Sequence, residues 1–366
     1  MSLDFSHVTL GQRVLFGAGR AAGHLMAEVE RLGARTVMVI AGERGLQLAR
    51  DVVKLIDVAA WHTEVVMHVP VDVAERARQA AADNGVDLLV CVGGGSTTGL
   101  AKAIALTSGI PIVAVPTTYA GSEATNVWGL TDNERKTTGT DDKVLPVTVI
   151  YDSELTLSLP VDMSVASGLN GVAHCVDSLW GPKADPINAA LAAEGIRALG
   201  EGLPKIVDDP RSVDGRDLAL YGAYLAAVSF SSAGSGIHHK ICHILGGTFN
   251  LPHAQTHATV LPYVLAFNSA DAPEAEARMA GAFGTPTALA GLQRLRERLD
   301  APRALADYGF TAEGIPTVVE QAMAIIPADN PREVTADNLT ALLTAALNGD
   351  DPATLTRTPA AAAAHA

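Results

Sequence analysis

Five of the chain's 11 histidines lie in one stretch, residues 236–258, whose sequence is GIHHKICHILGGTFNLPHAQTHA. His239 and His243 are four residues apart and would share one face of a helix. That spacing suits paired imidazole ligands, or a ligand together with a proton donor. His253 follows a Gly-Gly break and a Leu-Pro pair, where a loop can return it to the same pocket. For His238 and His257 we predict surface or packing roles.

A second polar pair precedes this stretch in GLNGVAHCVDSLW, where Asn170 and His174 are again four residues apart. Two helices that present these pairs to each other would build a four-membered polar site. A lone histidine on a helix face is more often satisfied by the core or by water than used in chemistry. The joint pattern favours a site, because a mostly apolar helix rarely carries so many imidazoles without a use.

A glycine turn earlier in the chain is a candidate for phosphate binding. Its residues are Gly93, Gly94, Gly95 and Ser96, between a predicted buried strand and a predicted helix. Glycines let the backbone approach a pyrophosphate closely, and the free amides at a helix start favour negative charge. The pattern is neither GxGxxG nor a Walker loop, and glycine turns of this kind also occur for packing reasons.

The next predicted strand ends in a second polar turn, PTTYAGSE, at residues 116–123. It offers four neutral hydrogen-bond donors, which are Thr117, Thr118, Tyr119 and Ser122. A capped turn would explain this segment alone, but ligands of open α/β sheets bind at the carboxyl ends of strands. Two polar turns at successive strand ends therefore predict a dinucleotide cleft. After the strand VMVI the chain has Gly42 and Glu43, with no aspartate at the strand end, so the choice between NADH and NADPH stays open.

The elements that must position these residues divide the chain into two parts. Residues 1–159 alternate short apolar runs with helical stretches, which predicts an α/β dinucleotide-binding domain with a parallel sheet and helices on both faces. One predicted strand covers residues 64–69, and the charged segment 126–146 is expected to form a hairpin or excursion. Residues 160–358 carry Ala, Leu and Gly at helical spacing and predict an all-α domain for substrate binding and catalysis. Residues 359–366 are a low-complexity tail with no predicted function.

Composition argues against some partners. The chain has 366 residues, is 48% hydrophobic and 18% charged, and carries a net charge of -14. A charge of that sign argues against nucleic acid or an anionic membrane surface. No apolar run reaches the roughly 20 residues of a membrane span, and the N-terminus lacks signal-peptide features, so a cytoplasmic location is expected. Three cysteines in apolar sequence are predicted to be reduced core residues, Cys91, Cys175 and Cys242.

Several of these motifs together resemble one known family. GGGSTTGLAKAIAL, PTTYAGSEAT, SGLNGVAHCVDSLW and HHKICHILGGTFNLPHAQTHA are similar to segments of the maleylacetate reductases, a branch of the iron-containing alcohol dehydrogenase superfamily with a dehydroquinate synthase-like fold. The resemblance covers most of residues 10–265. It implies NADH-dependent reduction, with NADPH possible, of the carbon–carbon double bond of maleylacetate to 3-oxoadipate. That reaction belongs to the bacterial breakdown of resorcinol-type or chlorinated aromatics. The resemblance also implies a homodimer.

The resemblance places the metal ligands of the metal-dependent relatives at four positions, Asn170, His174, His239 and His253. Asn170 is an amide where those relatives have a carboxylate, which removes charge compensation for a divalent ion. Gly99 likewise stands where the relatives have an acid. We therefore expect no metal; if one binds, His174, His239 and His253 would hold it. The resemblance also implies that Lys136 contacts the nicotinamide ribose.

Hydride addition to the carbon β to the ketone gives an enolate, which needs stabilisation and then a proton. The resemblance implies that His243 lies beside the nicotinamide, and we predict it to be the proton donor, with His253 as second choice. The four histidines at positions 174, 239, 243 and 253 would form a cationic clamp for carboxylate and enolate. Asn170 and Ser122 would hydrogen-bond substrate oxygens, and Tyr119 is an alternative acid.

Two other functions remain open from the sequence. The first is a metal-dependent alcohol or polyol dehydrogenase of the same superfamily, with zinc or iron on three histidines and Asn170. The second is a non-redox nucleotide-binding protein, such as a lyase or synthase on the same two-domain plan. A dehydroquinate synthase would need a carboxylate ligand, which the sequence does not offer at position 170.

Overall fold

The computed structural model of the chain describes residues 4–132 and 135–356, with the side chains of residues 135 and 136 outside that description. The chain forms two compact units. Residues 9–160 and 209–220 form the first, which we call the α/β unit. The second, the helical unit, contains the described residues 4–8, 161–208 and 221–356. The domain boundaries inferred from the sequence stay a prediction, and the predicted tail at 359–366 lies outside the described residues.

The α/β unit is built on a parallel sheet. Its strands along the chain are β1 (Arg13–Phe16), β2 (Val37–Ile40), β3 (Ala60–His62), β4 (Leu88–Gly93), β5 (Ile112–Pro116), β6 (Val127–Asp132), β7 (Arg135–Thr140) and β8 (Thr148–Tyr151). Six of them form one sheet in the order β1-β8-β5-β4-β2-β3, while β6 and β7 form the antiparallel hairpin expected between residues 126 and 146. The helices are α1 (Ala21–Leu32), α2 (Leu46–Val53), α3 (Val71–Asp83) and α4 (Gly95–Ser108).

The central strands are apolar throughout because both faces of the sheet are covered. Successive side chains of a strand point to opposite faces. Met38 and Leu89 accordingly enter one core cluster, while their neighbours Val39 and Val90 enter another. Alternating strands and helices with a doubly covered parallel sheet confirm the fold class that the sequence predicted for this part of the chain.

Residues 64–69 do not form the strand that the sequence predicted. The edge strand β3 ends at His62, and His68 and Val69 take left-handed backbone angles, with φ of 66° and 49°. Their backbone bonds to the hairpin instead. Thr131 donates its hydroxyl to the carbonyl of His68 at 2.8 Å and its amide to that of Val69 at 3.1 Å. The β-branched residues favoured a strand, but the turn that leads through Pro70 into α3 determines the backbone here.

The remaining helices confirm the predicted all-α half. They are α5 (Val161–Ser178), α6 (Pro186–Asp208), α7 (Val213–Ala233), α8 (Ile237–Phe249), α9 (His253–Asn268), α10 (Pro273–Phe283), α11 (Ala288–Arg298), α12 (Ile315–Met323) and α13 (Ala336–Asn348). Helix α5 is buried from Ser164 to Ser178 and packs against α6 and α9. A Cβ added at Gly168 would lie 2.4 Å from Leu203 of α6, so a glycine is needed for this close helix contact. Among the described helices, none is long and apolar enough to cross a membrane.

Candidate active site

Three helices of the helical unit carry the histidine cluster. Helix α5 carries Asn170 and His174, α8 carries His238, His239 and His243, and α9 begins at His253 and carries His257. Helix α8 runs through the Gly-Gly pair, which the sequence predicted to be a break. The chain instead reverses at Asn250, whose left-handed φ of 53° ends the helix before Leu251 and Pro252.

The rings of the cluster lie in mutual contact. His174 and His239 stack with centroids 4.9 Å apart and an interplanar angle of 15°. His257 lies 4.7 Å from His239 and 4.4 Å from His253, centroid to centroid. His243 lies 6.0 Å from His239 by the same measure. The structure therefore brings together all four histidines that the sequence assigned to catalysis, and it adds His257 between them.

His239 is held by a buried carboxylate that the sequence analysis did not single out. Its Nδ1 lies 2.7 Å from Oδ2 of Asp177, which also accepts the backbone amides of Gly236 at 3.0 Å and His239 at 3.1 Å. The other oxygen of Asp177 accepts the indole N–H of Trp180 at 3.3 Å. Asp177 lies three residues after His174 on α5, so helical spacing alone could have placed it on the same face.

Burial keeps the inner imidazoles neutral. It lowers the pKa of His174 to about 3 and that of His239 well below the ordinary value, with nearby histidines adding to the effect. Burial raises the pKa of Asp177 to about 6, so at pH 7 this contact joins a carboxylate to a neutral imidazole. The predicted cationic clamp is therefore wrong for His174 and His239, since desolvation disfavours their charged forms. His243 and His253 are exposed.

Several buried polar atoms of the cluster have no hydrogen-bond partner among the described residues. They are Oδ1 of Asn170, Nδ1 of His174, Nδ1 of His238, Nε2 of His239 and Nε2 of His257. His238 and His257 do bond to each other, Nε2 to Nδ1, at 3.0 Å. Buried polar atoms in folded proteins are nearly always paired, so such a concentration in one place marks a site that a ligand completes.

The glycine turn lies at the carboxyl end of β4 in the α/β unit. Gly93 has a φ of 155°, and a Cβ at that position would lie 2.4 Å from the hydroxyl oxygen of Thr97. Helix α4 begins directly afterwards at Gly95. Because the first amides of a helix have no partner within it, they are available to phosphate oxygens. The turn therefore has both features of a pyrophosphate site, which are a backbone that a phosphate can approach closely and free amides at a helix start.

The PTTYAGSE turn follows β5, the neighbour of β4 in the sheet. The amide of Thr117 donates to the carbonyl of Gly93 at 3.0 Å, and a Cβ at Gly94 would lie 3.0 Å from the methyl group of Thr118. Gly42, at the end of the adjoining strand β2, begins a short exposed turn with Glu43. The predicted cofactor residues of three strands thus meet at one edge of the sheet, with Ser96 half-buried in the first turn of α4.

Lys102 anchors the second turn and was not singled out from the sequence. This fully buried ammonium donates to the carbonyls of Ser122 at 2.6 Å, Thr125 at 2.8 Å and Val127 at 2.8 Å. Burial lowers its pKa to about 7, while the charge of the buried Glu123 raises it. Glu123 in turn accepts the hydroxyl of Tyr151 at 2.8 Å. This network fixes the backbone that carries Ser122.

Tyr119 is not placed as the sequence suggested for an acid. Its side chain is fully buried, and its hydroxyl oxygen accepts a hydrogen bond from Nη1 of the fully buried Arg216 at 3.1 Å. Arg216 also donates to the carbonyls of Leu159 and Pro210. A phenol enclosed in this way supports the turn. The backbone of Lys136 lies in β7 opposite Thr131, but its side chain lies outside the described part of the structure.

Comparison with known proteins gives matches along almost the whole chain. The profile described as iron-containing alcohol dehydrogenase matches residues 11–153, and that of the C-terminal region of the Fe-containing alcohol dehydrogenase family matches residues 164–347. A maleylacetate reductase from Burkholderia cepacia is 45% identical over 342 residues, which is 93% of this chain and 97% of that protein.

Two solved structures extend the comparison. One, described as an iron-containing alcohol dehydrogenase from Corynebacterium glutamicum, has a TM-score of 0.96 and 71% identity, and covers 97% of this chain and 100% of its own. The other, a maleylacetate reductase from a Rhizobium species, has a TM-score of 0.89 and 40% identity, and covers 95% of this chain and 99% of its own.

Proposed function

The chain belongs to the iron-containing alcohol dehydrogenase family, and from this premise we infer that it reduces maleylacetate to 3-oxoadipate with a nicotinamide cofactor. The observation that carries the inference is the nearly full-length identity of 45% to a maleylacetate reductase. The histidine cluster supports it independently. Its unpaired buried atoms and its exposed imidazoles suit a small polar substrate that must also receive a proton.

The reaction consumes one hydride and one proton. Hydride from the reduced nicotinamide adds to the alkene carbon β to the ketone, and the electron pair of the double bond moves onto the ketone oxygen as an enolate. A proton then adds to the α carbon, which restores the ketone and gives 3-oxoadipate with the oxidised cofactor. The protein must therefore stabilise a developing oxyanion and supply an acid.

We assign the acid to the exposed imidazoles of the cluster. His243 is the leading donor and His253 the second, because both are exposed while the inner histidines are buried and neutral. A ring that reaches solvent can regain its proton after each turnover. Asn170 is buried at 2% exposure and offers its amide to a substrate oxygen. Ser122, on the turn that Lys102 holds, is a further candidate for such a contact.

The residues of the cluster fit a divalent metal ion. The bare Nε2 of His239 and the neutral ring of His174 are the forms in which imidazole binds metals. By resemblance to the metal-dependent relatives, His174, His239 and His253, with the amide oxygen of Asn170, would hold such an ion, which would polarise the ketone oxygen. The expectation of no metal finds no support here, because the matching family is described as iron-containing. Asn170 in place of a carboxylate remains the argument for metal-free catalysis.

We propose NADH as the cofactor, with its pyrophosphate on the amides that follow Gly94. NADPH also fits the proposal, because no aspartate stands directly at the end of β2, where Gly42 precedes the exposed Glu43. Gly93, Gly95, Ser96, Thr117 and Thr118 complete the proposed cofactor site, and Lys136 is assigned to the ribose on sequence alone. A homodimer and a cytoplasmic location also stay proposals; a size measurement in solution tests the first.

A second function is favoured by one observation. The structure from Corynebacterium glutamicum that is 71% identical to this chain is described as an iron-containing alcohol dehydrogenase. A metal-dependent alcohol or polyol dehydrogenase would use the same fold with a metal on the histidines. It would reduce a carbonyl to an alcohol and would leave the alkene of maleylacetate intact.

The test is oxidation of NADH by freshly prepared maleylacetate, with and without a strong chelator, on protein whose metal content has been measured. Turnover that yields 3-oxoadipate supports the proposed function, and its survival or loss under chelation decides the metal requirement. Turnover only with simple aldehydes or ketones would overturn the proposal in favour of the alcohol dehydrogenase.

The assignment of the acid has a separate test. His243→Ala is expected to lower kcat by about 100-fold or more, in the range that general acid catalysis contributes. His253→Ala is the matched comparison, since both rings are exposed in the same cluster. Near-normal turnover by His243→Ala would move the acid to another group.

A further inference from the structure

The buried carboxylate of the histidine cluster, Asp177, is held by hydrogen bonds from several directions. It is fully buried and accepts hydrogen bonds from two backbone amides, one indole and one imidazole. A Cβ at Gly236 would lie 2.6 Å from its Oδ1, so the glycine at the start of α8 lets the helix approach this carboxylate. Helices α5 and α8 are thus joined at Asp177.

The contact with His239 determines which ring nitrogen carries the proton. A carboxylate accepts hydrogen bonds and cannot donate one, so Nδ1 of His239 must carry a hydrogen to bond at 2.7 Å. A neutral imidazole has only one N–H, and Nε2 is therefore a bare lone pair. That Nε2 is one of the buried atoms for which the described residues provide no partner.

Two aromatic contacts restrict rotation of the His239 ring: His174 stacks on it, and Phe230 packs against it at an interplanar angle of 35°. Phe230 lies 4.1 Å from His239, centroid to centroid, and His174 lies 4.9 Å away. The ring is therefore held by the hydrogen bond to Asp177 and by contacts with two aromatic neighbours, which also contact each other. The lone pair on Nε2 of His239 therefore has a fixed direction relative to any ligand that reaches it.

Resting on the proposed function, we propose that Asp177 is a positioning residue that acts through His239. It holds His239 in the tautomer whose Nε2 can only accept a hydrogen bond or bind a cation. His239 consequently cannot donate to the enolate, and oxyanion stabilisation falls to Asn170, His243 and His253. The partner of His239 is a hydrogen-bond donor or a metal ion in the same site.

The experiment compares Asp177→Asn with Trp180→Phe. The asparagine keeps the shape of Asp177 but removes the charge that holds the Nδ1 proton, whereas the phenylalanine removes only the indole hydrogen bond to the same carboxylate. We expect Asp177→Asn to lower kcat/KM for maleylacetate about 10- to 100-fold, as changes behind a ligating or reacting histidine do. Trp180→Phe should stay within about threefold of the parent, and NADH binding, measured by fluorescence, should be unchanged in both.

A second readout does not depend on turnover. Nitrogen NMR of protein with labelled histidine reports the tautomer of His239 directly, assigned by its loss in His239→Gln. The parent and Trp180→Phe should show a protonated Nδ1 and a bare Nε2, and Asp177→Asn should lose that single form. An unchanged tautomer in Asp177→Asn, or equal losses of kcat/KM in both variants, would overturn the proposal. If the parent fails to reduce maleylacetate, the proposed function fails while the tautomer still tests the role of Asp177.

Discussion

One group of buried polar side chains in each unit can be compared by how completely it is paired. In the α/β unit, the ammonium of Lys102 donates to three carbonyls, and Glu123 accepts from Tyr151. In the helical unit, Asn170 and His174 each present a buried atom to which nothing in the described chain bonds, as do three further histidines. The first arrangement is complete without a ligand, and the second is not.

This difference separates a structural network from a binding site. Burying a polar atom without a partner costs about 1–3 kcal/mol, so evolution keeps several such atoms together only where a ligand completes them. The network of Lys102 fixes the shape of a turn, whereas the histidine cluster has buried polar atoms that are available to bind a ligand. Changes in the two places should therefore have effects of different kinds.

The largest effect is expected on stability when the pH is lowered, because the buried histidines of the helical unit resist protonation. The protein is first freed of metal by a chelator. Burial lowers the pKa of His174 and His238 to about 3, and lowers those of His239 and His257 well below the ordinary value. Above pH 6.5 these rings are neutral whether folded or unfolded. Below it the unfolded chain binds protons that the folded chain does not, so stability falls as pH decreases towards about 3.

Well below pH 6.5 each such group contributes about 1.4 kcal/mol per pH unit. The raised pKa of Asp177 acts in the opposite direction and offsets about one of the four, so the net fall in the free energy of unfolding should be about 4 kcal/mol per unit. Thermal unfolding between pH 6 and 5 measures this slope. His238→Phe should reduce it by about a third. A flat profile over that range would show that the inner histidines are not buried in neutral form.

A change in the Lys102 network of the α/β unit should lower the stability of the protein. Lys102→Met leaves the carbonyls of Ser122, Thr125 and Val127 without their donor and Glu123 without its nearby charge. Removal of one partner from a buried charged network costs about 3–5 kcal/mol. Urea unfolding measures the loss, with the exposed Lys54→Met as control, expected to change stability by less than about 0.5 kcal/mol. Equal stability of the two variants would contradict the structural role of Lys102.

The smallest effect is expected at Tyr119. Tyr119→Phe removes the hydroxyl that accepts from Arg216, which should cost about 1 kcal/mol of stability and change kcat less than about threefold. Steady-state kinetics beside thermal unfolding separates the two quantities. A loss of kcat comparable to that of His243→Ala would instead restore Tyr119 as an acid.

The architecture could be predicted because local patterns decide it. Runs such as VMVI and LLVCVG between helices indicate a buried parallel sheet, and the glycines at positions 93–95 mark the strand-to-helix turn. The failure at residues 64–69 has a tertiary cause. Three of those six residues are valines, which favour a strand, but the carbonyls of His68 and Val69 bond to Thr131, more than 60 positions along the chain.

The site could be predicted only in part. Four histidines were found because their spacing on helices is local, and Asp177 was missed although it follows His174 by one turn. Their charge could not be predicted from spacing, because it depends on how much water the packed helices exclude. The roles of Tyr119 and His257 depend on contacts with Arg216 and His238, neither of which is near in sequence.

One measurement tests the central claim that the unpaired cluster of the helical unit is the ligand site. It is a crystal structure of the protein with NAD and 3-oxoadipate bound. The account predicts an oxygen of 3-oxoadipate within hydrogen-bond distance of Asn170, His243 or His253, with His239 still bonded to Asp177. A ligand bound away from these side chains, with the cluster unchanged, would contradict it.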